Sequence, residues 1–178
     1  MRIIGGRHRG KKLKSFDGED IRPTSDRARE ALFNIIASHI PDADFLDLCS
    51  GTGAVGLEAL SRGAKSVTFV DSDKKSLALT EYNLKSIKEN AKLVHAAAEN
   101  FIASATDKFD VVFFDPPYSF GGISGILKNV KMRKVLNKGG LFIYEHRADR
   151  QSVEEEGFTL KDSRKYGVAV FDFYEERL

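Results

Sequence analysis

Phe109-Asp110-Val111-Val112-Phe113-Phe114-Asp115-Pro116-Pro117-Tyr118 is the stretch on which the reading of this chain turns. A short run rich in aromatic and β-branched residues reads as a buried strand. It ends at two prolines, neither of which can donate to a ladder. The strand therefore delivers a carboxylate, carbonyls released from pairing and an aromatic ring at its carboxyl end. In open α/β sheets that edge is where ligands sit. The same residues would also make an ordinary turn, so the flanking sequence has to decide.

Upstream, Phe45-Leu46-Asp47-Leu48-Cys49 is a first buried strand, and Ser50-Gly51-Thr52-Gly53-Ala54-Val55-Gly56 follows at once. Leu57, Leu60 and Gly63 mark a helix and its end. Strand 66–70 closes on Asp71. Helix 74–87, strand 92–96 and helix 98–104 lead into the quoted stretch. Downstream come helix 122–136, a turn at Asn137-Lys138-Gly139-Gly140, and strand 141–146. Strands 158–161 and 168–174 have no helix between them. Alternating strands and helices predict a mostly parallel seven-stranded sheet with right-handed crossovers, and the last two strands an antiparallel hairpin at one edge. At the front, Pro23 blocks a helix, Thr24 or Ser25 can cap one, and residues 25–39 carry apolar positions at helical spacing.

The bulk numbers exclude several classes. A chain of 178 residues suits one domain with a real core. Its single cysteine, Cys49, rules out an internal disulfide and a cysteine-rich metal site. His8, His39, His95 and His146 lack metal-ligand spacing, so no metal is expected. No apolar run reaches the length of a membrane span and no leader pattern opens the chain, so a cytoplasmic protein is expected. Net charge is only +2, yet residues 1–14 hold six Lys and Arg and no acid. Such a basic arm predicts a polyanion contact made in one place. Its two strand-like runs, about 2–4 and 11–15, predict a β-hairpin extension over residues 1–24, ahead of the α/β domain at 25–178.

The glycine loop matches G-x-G-x-x-G after a strand and before a helix, with Asp71 twenty residues beyond Gly51. That context fits a nucleotide-type cofactor whose ribose is held by the acid. A nicotinamide cofactor remains open on the loop alone.

Asp47-x-x-x-Gly51-x-Gly53 resembles the class I methyltransferases that bind S-adenosylmethionine, and Asp115-Pro116-Pro117-Tyr118 resembles the Asp/Asn-Pro-Pro-Tyr/Phe of amino-group methyltransferases. The opening words, Met1-Arg-Ile-Ile-Gly-Gly6, Arg9-Gly10-Lys-Lys-Leu13 and Arg22-Pro-Thr-Ser-Asp-Arg27, resemble bacterial 16S rRNA guanine-N2 methyltransferases of the small subunit, over essentially the whole chain. The resemblance implies a Rossmann-like methyltransferase fold, with S-adenosylmethionine held by Asp47, Cys49, Ser50, Gly51, Gly53, Asp71 and Ser72. It implies Asp115 as acceptor and proton sink, the Pro116 carbonyl as second acceptor beside Pro117, and Tyr118 as a stacking ring. It further implies 16S rRNA, within the small ribosomal subunit or its assembly intermediates, as partner. The basic arm, with Arg7, Arg9, Lys11, Lys12 and Arg22, becomes its contact surface. A monomer is expected. The pattern departs at Ala97, where such enzymes often place an acid on the adenine; Glu99 or backbone near Ala98 is expected to serve instead. Two alternatives stand beside this reading: an adenine-N6 methyltransferase, which shares the Pro-Pro motif, and a non-catalytic RNA-binding assembly factor.

Overall fold

The computed structural model describes residues 1–16 and 24–177. Seven strands form one sheet: β1 Asp44–Leu48, β2 Ser66–Asp71, β3 Lys92–His95, β4 Phe109–Phe114, β5 Leu136–Arg147, β6 Phe158–Tyr166 and β7 Ala169–Glu176. Their spatial order is β3-β2-β1-β4-β5-β7-β6. The first five are parallel neighbours, and β7 runs antiparallel to both β5 and β6. The closing hairpin thus forms, with β7 inserted between β5 and the edge strand β6. Chain order moves outward from β1 through β2 to β3, then restarts at β4 on β1's other side. Crossovers of one hand then put helices on opposite faces, and the reversal opens a crevice beyond the carboxyl ends of β1 and β4.

Helices α1 Asp26–Ile35, α2 Ala54–Ser61 and α3 Lys74–Ser86 share one core with Phe45, Val67, Phe69, Phe113 and Ile143. Helices α4 Ala98–Ser104 and α5 Ile123–Arg133 pack the other face against Leu46, Val112, Phe114 and Phe142. Alternation along β4 from Val111 to Phe114 separates the two sets, as a pleated strand requires; Phe109, before the register shift, joins the second set. Two expectations are adjusted. Helix α1 stops at Ile35 and a 3-10 turn, Ala37–His39, completes the predicted span. The expected turn at residues 137–140 lies inside β5, whose pairing with β4 shifts register between Phe109 and Val111.

The arm is a looped excursion closed by one antiparallel bridge, Arg2 to Lys12, rather than a laddered hairpin. The Ile3 amide donates to the Lys11 carbonyl at 3.0 Å and the Gly10 amide to the Ile3 carbonyl at 2.8 Å. Ile3 and Leu13 enter the α1–α3 core. Glu58 of α2 accepts from the amides of Ile4 and Gly5 at 2.9 and 2.8 Å, and meets Arg62 at 2.8 Å and Arg29 at 3.6 Å. Asn83 of α3 takes the Lys14 amide and donates to the Lys14 carbonyl. An acid and an amide therefore stitch the arm to two helices.

Candidate active site

Beyond the carboxyl ends of β1 and β4 lies a cavity of about 440 Å³. Asp47, Cys49, Ser50, Gly51, Asp71 and Ser72 line one part of it, and Asp115, Pro116, Pro117 and Tyr118 another. The two motifs, distant in sequence, meet because Leu48 pairs with Phe114 and the Asp115 amide donates to the Leu48 carbonyl at 3.2 Å.

The loop after β1 is built tightly. Cys49 takes a left-handed conformation, φ 68°, so that its amide and that of Ser50 both reach the Val70 carbonyl. Such strain in a non-glycine residue marks a turn the surrounding structure enforces. Gly53, φ 78°, opens α2, and a Cβ there would stand 2.8 Å from the Thr80 methyl. At Gly56 a Cβ would meet the Phe69 ring at 2.3 Å, so this glycine sets how closely α2 lies on β2. Asp47 accepts from the Gly56 amide at 2.9 Å, and Asp71 from those of Gly51 and Asp73, both at 2.8 Å. The two acids thus brace the glycine loop from either side. Gly53 and Ala98 do not line the cavity; Ala98 is buried at the start of α4 and Glu99 is exposed beside it. Glu99 still bears on the site, since its charge helps to push the Cys49 thiol up.

Three carboxyls face this edge from three strands. Burial pushes Asp47 up to about 8 and Glu145 up to about 7. Asp115 is held well above the usual range by burial, then by Glu145 and Asp47. Such a cluster suits a cationic ligand, whose charge relieves the repulsion. The Ser50 hydroxyl points the same way: it is buried, lines the cavity and has no partner among the described residues. These features fit a cofactor with cationic and hydroxyl groups. They also fix a pH dependence. Unfolding would release protons that the folded carboxyls retain above their ordinary values near 4, so stability should fall as pH rises from about 5 to about 8. Asp47→Asn, which keeps an acceptor for Gly56, should raise the thermal midpoint by about 3 °C or more at pH 8 and by little at pH 5. Differential scanning fluorimetry across pH tests this, and an equal shift at both pH values would contradict it.

Sequence reasoning missed four contributors. Glu145 lies buried at the end of β5 and accepts from the Thr24 hydroxyl at 2.6 Å. Thr24 itself lines the cavity, while the helix cap falls to Ser25. Arg150 donates to the carbonyls of Tyr118 and Phe120, clamping the loop after the two prolines. Arg147 sits over the Tyr118 ring, 5.4 Å from its centre. Beneath them, His146 has Asp172 at 2.9 Å from one ring nitrogen and the Arg147 carbonyl at 2.9 Å from the other. Both partners accept, so the imidazole satisfies both only when doubly protonated. Cations one and four residues past the predicted strand end at 146 were the available signal for Arg147 and Arg150. Nothing local announces a contact between residues 24 and 145.

The arm's cations, Arg2, Arg7, Arg9, Lys11, Lys12 and Lys14, are all exposed. Arg7 is also paired with Glu89 at 2.7 Å, alongside His8. Arg22 lies outside the described residues. Among the described residues no cluster could hold a metal ion, and no helix is long and apolar enough to cross a membrane.

Ribosomal RNA small subunit methyltransferase D of Haemophilus influenzae is 33% identical over 180 residues, 98% of this chain and 93% of that protein. The solved structure of yhhF from Escherichia coli matches with a TM-score of 0.89 and 34% identity, covering 99% of this chain and 97% of that one. SMU.776, solved in complex with SAH (S-adenosylhomocysteine), shares the fold at a TM-score of 0.70 and 18% identity, over 84% of this chain and 49% of that one. A family model described as conserved hypothetical protein 95 matches residues 1–175. The chain therefore belongs to the conserved hypothetical protein 95 family, a relative of ribosomal RNA small subunit methyltransferase D with a Rossmann-like methyltransferase fold.

Proposed function

We propose that this chain transfers a methyl group from S-adenosylmethionine to the exocyclic 2-amino group of a guanine in 16S rRNA, within the small ribosomal subunit or its assembly intermediates. The observation that carries the reading is one cavity lined by both the braced glycine loop and Asp115-Pro116-Pro117-Tyr118. The curated relative named for rRNA methylation supports the substrate class.

Asp47, Ser50, Gly51, Asp71 and Ser72 would hold the cofactor, with Glu99 toward its adenine. When bound, the cofactor supplies an electrophilic methyl group on a positively charged sulfur. The chain's own work is to make a poor nucleophile attack. An aromatic amine delocalises its lone pair into the ring. Asp115 and the Pro116 carbonyl, accepting its two N–H bonds, favour a pyramidal nitrogen with the lone pair turned to the methyl. Tyr118, backed by Arg147 and fixed by Arg150, stacks on the base and holds it in line, which is catalysis by positioning. With the methyl group supplied by the cofactor, which would leave as the neutral thioether, Asp115 would take the proton that the amine gives up. The base must leave its stack to enter.

The experiment is methyl transfer from labelled S-adenosylmethionine to small subunits from a deletion strain, to naked 16S rRNA and to duplex DNA, read by nucleoside mass spectrometry. N2-methylguanosine from the RNA substrates is the expected product. Label in N6-methyladenine would replace this reading with the adenine enzyme, and no label despite cofactor binding would favour a binding role.

Arg9, Lys11 and Lys12 are proposed to meet rRNA phosphates, which fix position without reading sequence. Arg9→Glu with Lys12→Glu should weaken subunit binding and reduce its salt slope by about two units, one per lost phosphate contact. Binding titrations at several salt concentrations measure it; an unchanged slope removes the arm from the interface.

A further inference from the structure

The Thr24–Glu145 contact has no part in the chemistry above, although Thr24 lines the cavity. Pairing of β4 with β5 ends at Phe114 and Tyr144, so Asp115 and Glu145 occupy the next position on adjacent strands. Both follow residues whose neighbours Phe113 and Ile143 face the α1 side, and alternation turns the two acids to that same side. Adjacent strands lie about 4.8 Å apart. The Thr24 hydroxyl stands 2.6 Å from Glu145. An acceptor carboxylate and a hydroxyl therefore sit side by side where the sheet meets the cavity.

The direction of the hydroxyl matters. Ser25 caps α1 by accepting from the Ala28 amide at 3.1 Å, so Thr24 has no capping duty. A hydroxyl carries one proton and two lone pairs. Here the proton goes to Glu145, and what remains on the oxygen can only accept.

We propose that Thr24 is a specificity-determining residue whose hydroxyl, oriented by Glu145, accepts the ring N–H that lies beside the 2-amino group of guanine. This rests on the guanine-N2 reading above and deepens it. Guanine presents two neighbouring donors on one edge, the ring N–H and the amino group, and Asp115 with Thr24 supplies two neighbouring acceptors. Adenine presents an amino group beside a bare ring nitrogen, which would set lone pair against lone pair at Thr24. A site built to receive a donor rejects the analogue lacking it, because its own polar group is left unpaired. Glu145 acts through Thr24 and is a positioning residue.

The test uses small subunits reconstituted with 16S rRNA carrying either guanine or 2-aminopurine at the base that the wild-type enzyme methylates. 2-Aminopurine keeps the amino group and lacks the ring N–H. Wild-type protein is expected to prefer guanine by about tenfold or more in kcat/KM. Thr24→Val, of similar shape, should bring that ratio close to one with little change in S-adenosylhomocysteine affinity, and Thr24→Ser should restore it. A wild-type enzyme indifferent to the two bases overturns the proposal without any variant. So does a Thr24→Val protein that keeps the preference, or one whose loss follows a loss of S-adenosylhomocysteine affinity; N2-methylguanosine from wild type would leave the parent reading standing in each case. Label in adenine overturns both.

Discussion

Asp115→Ala is expected to slow methyl transfer to deletion-strain subunits by on the order of a thousandfold, while S-adenosylhomocysteine binds almost as before. Two losses combine. The amine forfeits the acceptor that turns its lone pair toward the methyl group, and the departing proton forfeits its sink. Cofactor affinity should hold, because the glycine loop is braced by Asp47 and Asp71 and not by Asp115. Single-turnover rates with calorimetric binding separate the two effects. A rate within tenfold of wild type would move the proton acceptor to another residue.

Glu58→Ala should cost about 3–5 kcal/mol, which is much of the 5–15 kcal/mol that holds a typical domain folded. Arg29 is fully buried in α1, and Glu58 is the fully buried acid beside it. Truncation strands that guanidinium without its buried counter-charge and leaves the Ile4 and Gly5 amides without their acceptor. Glu58→Gln, whose single side-chain oxygen keeps an acceptor for one of the two amides, should cost less. Urea unfolding followed by circular dichroism gives the magnitude, and hydrogen exchange at Ile4 and Gly5 should quicken before the sheet opens. A change below about 1 kcal/mol would mean that Asp26 and the Arg2 carbonyl, which also meet Arg29, suffice for it.

The readable part of this molecule is the part encoded locally. Strand, glycine loop, helix and acid follow one another from Phe45 to Asp71, and turn chemistry with 3.6-residue spacing specifies each junction. The strand ending at Asp115 is equally local. What escaped is what the sheet assembles from afar. Nothing near Ala169 says that β7 will slip between β5 and β6. Asn137-Lys138-Gly139-Gly140 carries every mark of a turn, yet it continues β5, with Asn137 reaching Asp110 on β4 at 2.8 Å. The ladder skips these four residues, jumping on β5 from Leu136 to Leu141 while β4 advances from Phe109 to Val111, and Gly139 takes φ 76° in the resulting bulge. The arm's glycines suggested a hairpin, but Glu58 and Asn83 spend its backbone groups on α2 and α3. Likewise Arg7, grouped with the other arm cations by composition, is drawn off by Glu89. Charge counts along a sequence cannot reveal which cations are already neutralised.

Cys49 carries a practical consequence. It is the chain's one cysteine, it lines the cavity, and its thiol is pushed up by burial and then by Asp71, Asp115, Asp47 and Glu99. A thiol is attacked by alkylating reagents only as thiolate, which this surrounding field suppresses. The folded protein should therefore react slowly with iodoacetamide, and a molecule seated in the cavity should slow it further. Every fast-reacting fraction then counts molecules whose loop has opened. Cys49, at the cavity wall, thereby becomes a native footprint of occupancy, readable by intact mass without any introduced label.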